Sequence, residues 1–207
     1  MNLSTSLRTW LTALVVIFWP TMSVADEGPF GITWGMTKYQ VQALGVQMEP
    51  SSAKLGIQSF KATNLPKSIS IADFYGLTFD TKRGLQKVTM ISKDIVDDPY
   101  GSEGKKLYAD VKDALVKKYG EPTFGLESVG AKLWDESDEF YQCLDYSGCG
   151  MWAAGFEDEE GGESILLQVE GMARGKGFIR LTYEGPKWSE AVDAMEANEA
   201  KTDADAL

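Results

Sequence analysis

Only two residues of this chain can supply a thiolate. Cys143 and Cys149 lie in the stretch "YQCLDYSGCGMW", and there is no histidine anywhere. The missing imidazole removes the commonest general acid and base near neutral pH and the commonest transition-metal ligand. Ser-His-Asp, Cys-His and His-zinc chemistries are therefore excluded. A zinc site would need two further soft ligands that the chain does not contain, and a thiol oxidoreductase carries a shorter Cys-x-x-Cys spacing at a helix start. An even pair of cysteines in an oxidising compartment points instead to a disulfide. Strands over 134–143 and 149–157 would place the two sulfurs across a hairpin closed by "LDYSG", and so short a loop stabilises by about 2 kcal/mol in the chain-entropy picture. A turn held in this way is preorganised and cheap to dock. Leu144, Asp145 and Tyr146, with Trp152 on the next strand, are thus the expected contact residues.

The other groups that could do chemistry are carboxylates. Asp73 interrupts an otherwise apolar alternation, Ile69, Ile71, Tyr75, Leu77 and Phe79, and reads as an edge or bulge position. The run "EDEEGGE" (157–163) lacks the alternating oxygen ligands of an EF-hand and reads as a solvated turn. "YGSEGKK" (100–106) has a Gly-Lys step, but Pro99 stands where a phosphate loop needs glycine, and no Ser or Thr follows to hold magnesium. No catalytic residue, metal ligand or cofactor is assigned.

Composition bounds the compartment and the partners. The first twenty-five residues combine Arg8, an apolar run from Trp10 to Trp19, a breaker at Pro20 and small residues at Ser23 and Ala25. That is the layout of a cleavable secretory signal, with cleavage expected after Ala25 and a periplasmic or secreted product. No later segment is apolar enough to span a bilayer. The formal net charge is −11, which disfavours nucleic acid and anionic lipid, since both are held by clustered Lys and Arg.

The elements needed to position these groups follow from periodicity. Thr37 with Gln40 forms a capping-box pattern opening a helix that Gly45 ends, and residues 46–56 read as loop. Strands are expected over 56–62, 68–80 and 85–93, then a linker at 97–104. Leu107, Val111, Leu115 and Tyr119 recur every four residues, a helical stripe stopped by Gly120 and Pro122. Strands near 131–143, 149–157, 164–172 and 177–184 complete a second sheet, and Trp188, Val192 and Met195 share one face of a last helix that runs into an acidic tail. The expected class is α+β, with two helix-plus-antiparallel-sheet halves in tandem and a C-terminal helix. Its divisions are a signal at 1–25, a first half at 26–96, the linker, a second half at 105–185, and a helix and tail at 186–207.

"WGMTKYQVQALG", through Gly35, Met36, Thr37, Val41, Leu44 and Gly45, resembles the opening of the small outer-membrane assembly lipoproteins of the BamE type, whose helices pack on an antiparallel sheet. The lipoprotein cysteine of that family is absent. The tandem order of elements is similar, in architecture only, to the secreted β-lactamase inhibitor proteins. Both resemblances imply binding to other proteins. The expected function is a non-enzymatic exported protein-binding module, an inhibitor, assembly factor or accessory subunit of the bacterial cell envelope. A periplasmic carrier of a small molecule or lipid is the alternative, and a carboxylate-dependent hydrolase is a third reading.

Overall fold

The computed structural model describes residues 28–158 and 162–206. The expected signal and the middle of the acidic run 157–163 lie outside the described residues. Eight strands form one antiparallel sheet in the order β1-β2-β3-β4-β8-β7-β6-β5. The first meander is β1 (Met48–Lys54), β2 (Ile57–Ala62), β3 (Ala72–Asp80) and β4 (Gly84–Ser92), and the second is β5 (Phe124–Ser128), β6 (Met151–Asp158), β7 (Glu163–Ala173) and β8 (Lys176–Glu184). The two meet where β4 pairs with β8, Val88 opposite Tyr183 and Met90 opposite Leu181. Where two sheets were expected there is one continuous sheet. The class is α+β with a C-terminal helix.

Alternation sets the two faces of this sheet. Tyr75, Leu77 and Phe79 on β3, Ile179, Leu181 and Tyr183 on β8, and Ile165, Leu167 and Val169 on β7 all point to one buried face. Each such side chain contributes about 1.5–3 kcal/mol on burial. Asp73 is exposed and lies where the β3–β4 register slips between Ala72 and Phe74, so the bulge takes it out of the apolar row. Helices cover the buried face. In α1 (Lys38–Ala43), Thr37 and Gln40 close the capping box and Val41 is buried. In α2 (Ser102–Tyr119) the buried positions are Gly104, Tyr108 and Leu115, with Leu107, Val111 and Tyr119 half-buried beside them.

Residues 140–145 depart from the expected strand near 131–143. They form a short helix, α3 (Phe140–Asp145), with Phe140, Tyr141 and Cys143 buried. Two glycines let it lie directly on the sheet. A Cβ at Gly171 would overlap the Tyr141 carbonyl, and one at Gly177 would overlap the Tyr141 ring. The aromatic residues that favour a strand locally are held as a helix by this tertiary contact.

Asp98 ties the elements of the second half together. It is only 8% exposed. One carboxylate oxygen accepts the N–H of Ser102 at 2.8 Å, and the other accepts Glu103 N–H at 2.9 Å, Gly104 N–H at 3.1 Å and the Tyr141 hydroxyl at 2.9 Å. Gly101, the helix N-cap, has no side chain with which to do this. Residues 97–104, whose composition suggests a linker, thus contain the anion that terminates α2 and holds α3. At the junction of the meanders, the Phe30 ring lies 5.0 Å from Tyr75 and 5.6 Å from Tyr183, bridging β3 to β8.

The last helix, α4 (Trp188–Ala206), runs through the residues expected as an acidic tail. Glu190 pairs with Arg83 at 3.1 Å and Glu199 with Lys54 at 2.5 Å. At 1.5 Å per residue, Glu190 and Glu199 are about 14 Å apart along the helix, close to the width of three strand spacings. The helix therefore crosses the hairpin ends of the first meander from β4 towards β1. No helix among the described residues is long and apolar enough to cross a membrane.

Candidate functional site

The cysteines do form a disulfide, Cys143 to Cys149, with Cα atoms 5.1 Å apart and both residues fully buried. Its setting differs from the expected hairpin. Cys143 belongs to α3 and Cys149 lies two residues before β6, so the bridge fastens a helix to the approach of a strand. The expected contact residues separate accordingly. Leu144 is half-buried against the core, Asp145 is exposed at the end of α3 and Tyr146 just beyond it, and Trp152 stands on the helix-covered face. Its ring is edge-on to Phe140 at 5.3 Å, and the Lys105 ammonium lies 5.2 Å above it. Trp152 is thus occupied in packing.

Burial also acts on the phenols of the covered face. Desolvation raises the Tyr141 hydroxyl well above the ordinary tyrosine value, and its hydrogen bond to Asp98 adds to the shift. Tyr108 is raised by desolvation and by Glu127, whose carboxylate accepts the hydroxyl at 3.1 Å. These groups are donors held in the neutral form, suited to structural hydrogen bonds rather than proton transfer.

The other face of the sheet is the candidate site. Cross-strand pairs carry it from β4 to β5: Thr89 opposite Thr182, Thr182 opposite Leu166, Leu166 opposite Gly155, and Gly155 opposite Phe124. Over these strands lies an open trough of about 580 Å³. Three of the four charged residues that line it are paired among the described residues, and the fourth, Glu157, is exposed. Lys87 reaches Glu184 at 2.8 Å with both side chains about 30% exposed, and Arg180 bonds Glu170. Lys87 also lies 4.8 Å from the Trp188 ring, which ties this face to the start of α4. The trough thus carries charges of both signs within a strongly acidic chain.

Apolar side chains border the trough on the β5 side. Phe124 is 47% exposed, Leu126 44%, Met151 39% and Leu166 36%. Gly155, between Phe124 and Leu166, has no side chain, and the Phe124 ring leans over it. Sequence reasoning missed these residues, although the run Ile165-Leu166-Leu167 carried a signal. In a strand, one of three consecutive apolar residues must face away from the core. Comparison with known protein families, with curated proteins and with solved structures gives no match to this chain.

Proposed function

We propose that this chain is an exported, non-enzymatic protein-binding module, and that the partner docks on the uncovered face over β4, β8, β7 and β6. The observation that carries the reading is the combination on one rigid face of paired charges, hydroxyls and a contiguous set of exposed apolar side chains. Protein interfaces mix apolar and polar groups in this way, and large exposed apolar patches are uncommon without a function. A carrier site encloses most of its ligand, whereas this trough is open along its length. The buried disulfide and the signal-like leader favour a periplasmic or secreted location. The two antiparallel meanders suit the reading of tandem halves, and the resemblances to envelope assembly proteins and secreted inhibitors point the same way.

A photo-crosslinking residue placed at Leu166, on the trough, and at Asp113, on the outer surface of α2, tests this in the producing cell. A discrete adduct at position 166 that is absent at 113 and lost on adding Arg180→Glu is expected. Equal adducts at both positions, or none at 166, would remove the proposal.

A further inference from the structure

The sheet has two edges, and they are built differently. An exposed edge strand presents unpaired N–H and C=O groups that invite another strand, and proteins blunt it with proline, charge, bulges or a covering element. On β1 nearly all of these are present. Pro50 removes a donor, the register slips between Pro50 and Ser52, Glu49 and Lys54 carry charge, and Lys54 is held by Glu199 of α4. On β5 the only one present among the described residues is a single charge. The strand "FGLES" has no proline or lysine, its register against β6 is unbroken from Phe124–Gly155 to Ser128–Met151, and all five residues are exposed. Its single charge, Glu127, is neutralised by Lys112 at 2.6 Å on the α2 side.

We propose that β5 is a self-association edge. Two copies pair β5 to β5 antiparallel about a two-fold axis at Leu126, and the Phe124 ring of each enters a hollow on the other. In that register Leu126 faces Leu126, Gly125 faces Glu127, and Phe124 faces Ser128. The hollow lies where this pairing needs it. It measures about 360 Å³ and is lined by Leu126, Ser128, Ala131, Met151 and the Cys149–Gly150 backbone beside the disulfide. Phe124, Leu126 and Ser128 alternate onto one face, so a Phe124 ring arriving opposite Ser128 is on the side of the hollow. Knob and hole are both on each copy, which is the self-complementarity that a two-fold interface demands. No unpaired charge of β5 is brought together. The opposing term is the net charge of −11 on each chain, a longer-range repulsion that salt screens, with a Debye length of about 10 Å at 0.1 M and about 3 Å at 1 M.

Self-pairing makes no use of any other partner, so its test is separate from the crosslinking above. In sedimentation equilibrium of the purified chain, the weight-average mass should rise with concentration towards twice the monomer mass, and more steeply at high salt. Phe124→Asp should weaken the association by about tenfold or more, because a carboxylate enters an apolar hollow unpaired. Leu126→Cys gives a readout that does not depend on affinity. Directly opposed antiparallel residues have Cα atoms about 4.5–5.5 Å apart, within disulfide range, so under mild oxidation a 126–126 link should form, whereas Ser52→Cys on the β1 edge should give none. A chain monomeric at all concentrations and salts, or 126–126 links no more frequent than 52–52 links, overturns the proposal. So does a Leu126→Cys chain that joins only a different protein, which would assign the edge to a foreign strand.

Discussion

Removing the Asp98 carboxylate should be among the most damaging single polar substitutions in the chain. In Asp98→Ala the N–H groups of Ser102, Glu103 and Gly104 and the hydroxyl of Tyr141 lose their acceptor together. Loss of a helix cap alone costs about 1 kcal/mol, and each buried donor left unpaired costs about 1–3 kcal/mol. Water can reach the outer part of this site, near the exposed Ser102 and Glu103, but not the buried Gly104 N–H or the Tyr141 hydroxyl. Two fully stranded donors plus the cap give an expected loss of about 3–7 kcal/mol. For a domain of this size that lowers Tm by roughly 10–20 °C. Tyr141→Phe deletes one donor and leaves the three helix N–H groups satisfied, so about 1 kcal/mol is expected. Asp98→Asn should fall between, since the amide keeps one acceptor oxygen but turns an NH2 towards donors. Urea unfolding followed by circular dichroism, with the disulfide intact, ranks the three variants. If Asp98→Ala costs under about 1 kcal/mol, or Asp98→Asn matches it, the carboxylate does not organise α2 and α3 as described.

Two other perturbations have defined outcomes. Replacing both cysteines by serine should lower stability by about 2 kcal/mol and Tm by roughly 4–8 °C. An unchanged urea midpoint would show that α3 is held on the sheet without the bridge. At alkaline pH, Tyr108, Tyr141 and Tyr183 each have a folded-state pKa raised, chiefly by burial. The unfolded chain then loses protons first, from about pH 10, so their contribution is complete below that pH and falls as pH rises beyond it. Tyrosinate absorbance from these three should therefore appear together with loss of the circular dichroism signal. Full ionisation of all 8 tyrosines at the ordinary value with the fold intact would contradict their burial.

Much of the fold was legible because most elements obey one periodicity. The capping box at Thr37 and Gln40, the alternation of Ile179, Leu181 and Tyr183, and the disulfide follow from local pattern and spacing. The strands that escaped notice are the two edges. In β1, "MEPSSAK" contains proline and is exposed over almost its whole length, and in β5 all five residues are exposed, so neither shows the apolar alternation that marks a half-buried strand. Residues 140–145 misled for the opposite reason. Phe140 and Tyr141 favour a strand locally, and their helix depends on Gly171 and Gly177, thirty residues or more along the chain. The candidate site was the least legible. Leu166, Phe124 and Thr182 meet only through the strand register, and nothing in the linear sequence records that Leu166 faces Gly155 rather than another residue.

The pairing of β4 with β8 also sets a timetable. About 80 residues separate the end of β4 at Ser92 from the start of β8 at Lys176, and the chain is made from its N-terminus at about 5–20 residues per second. For a time on the order of ten seconds, the first meander can be complete with its β4 edge bare. That edge is apolar in Val88 and Met90, a template for any unfolded neighbour. The strand that completes the sheet is thus also the one that covers this bare edge. A truncation just before Lys176 should therefore be more prone to clump than one just after Glu184, although the two differ by a single hairpin arm.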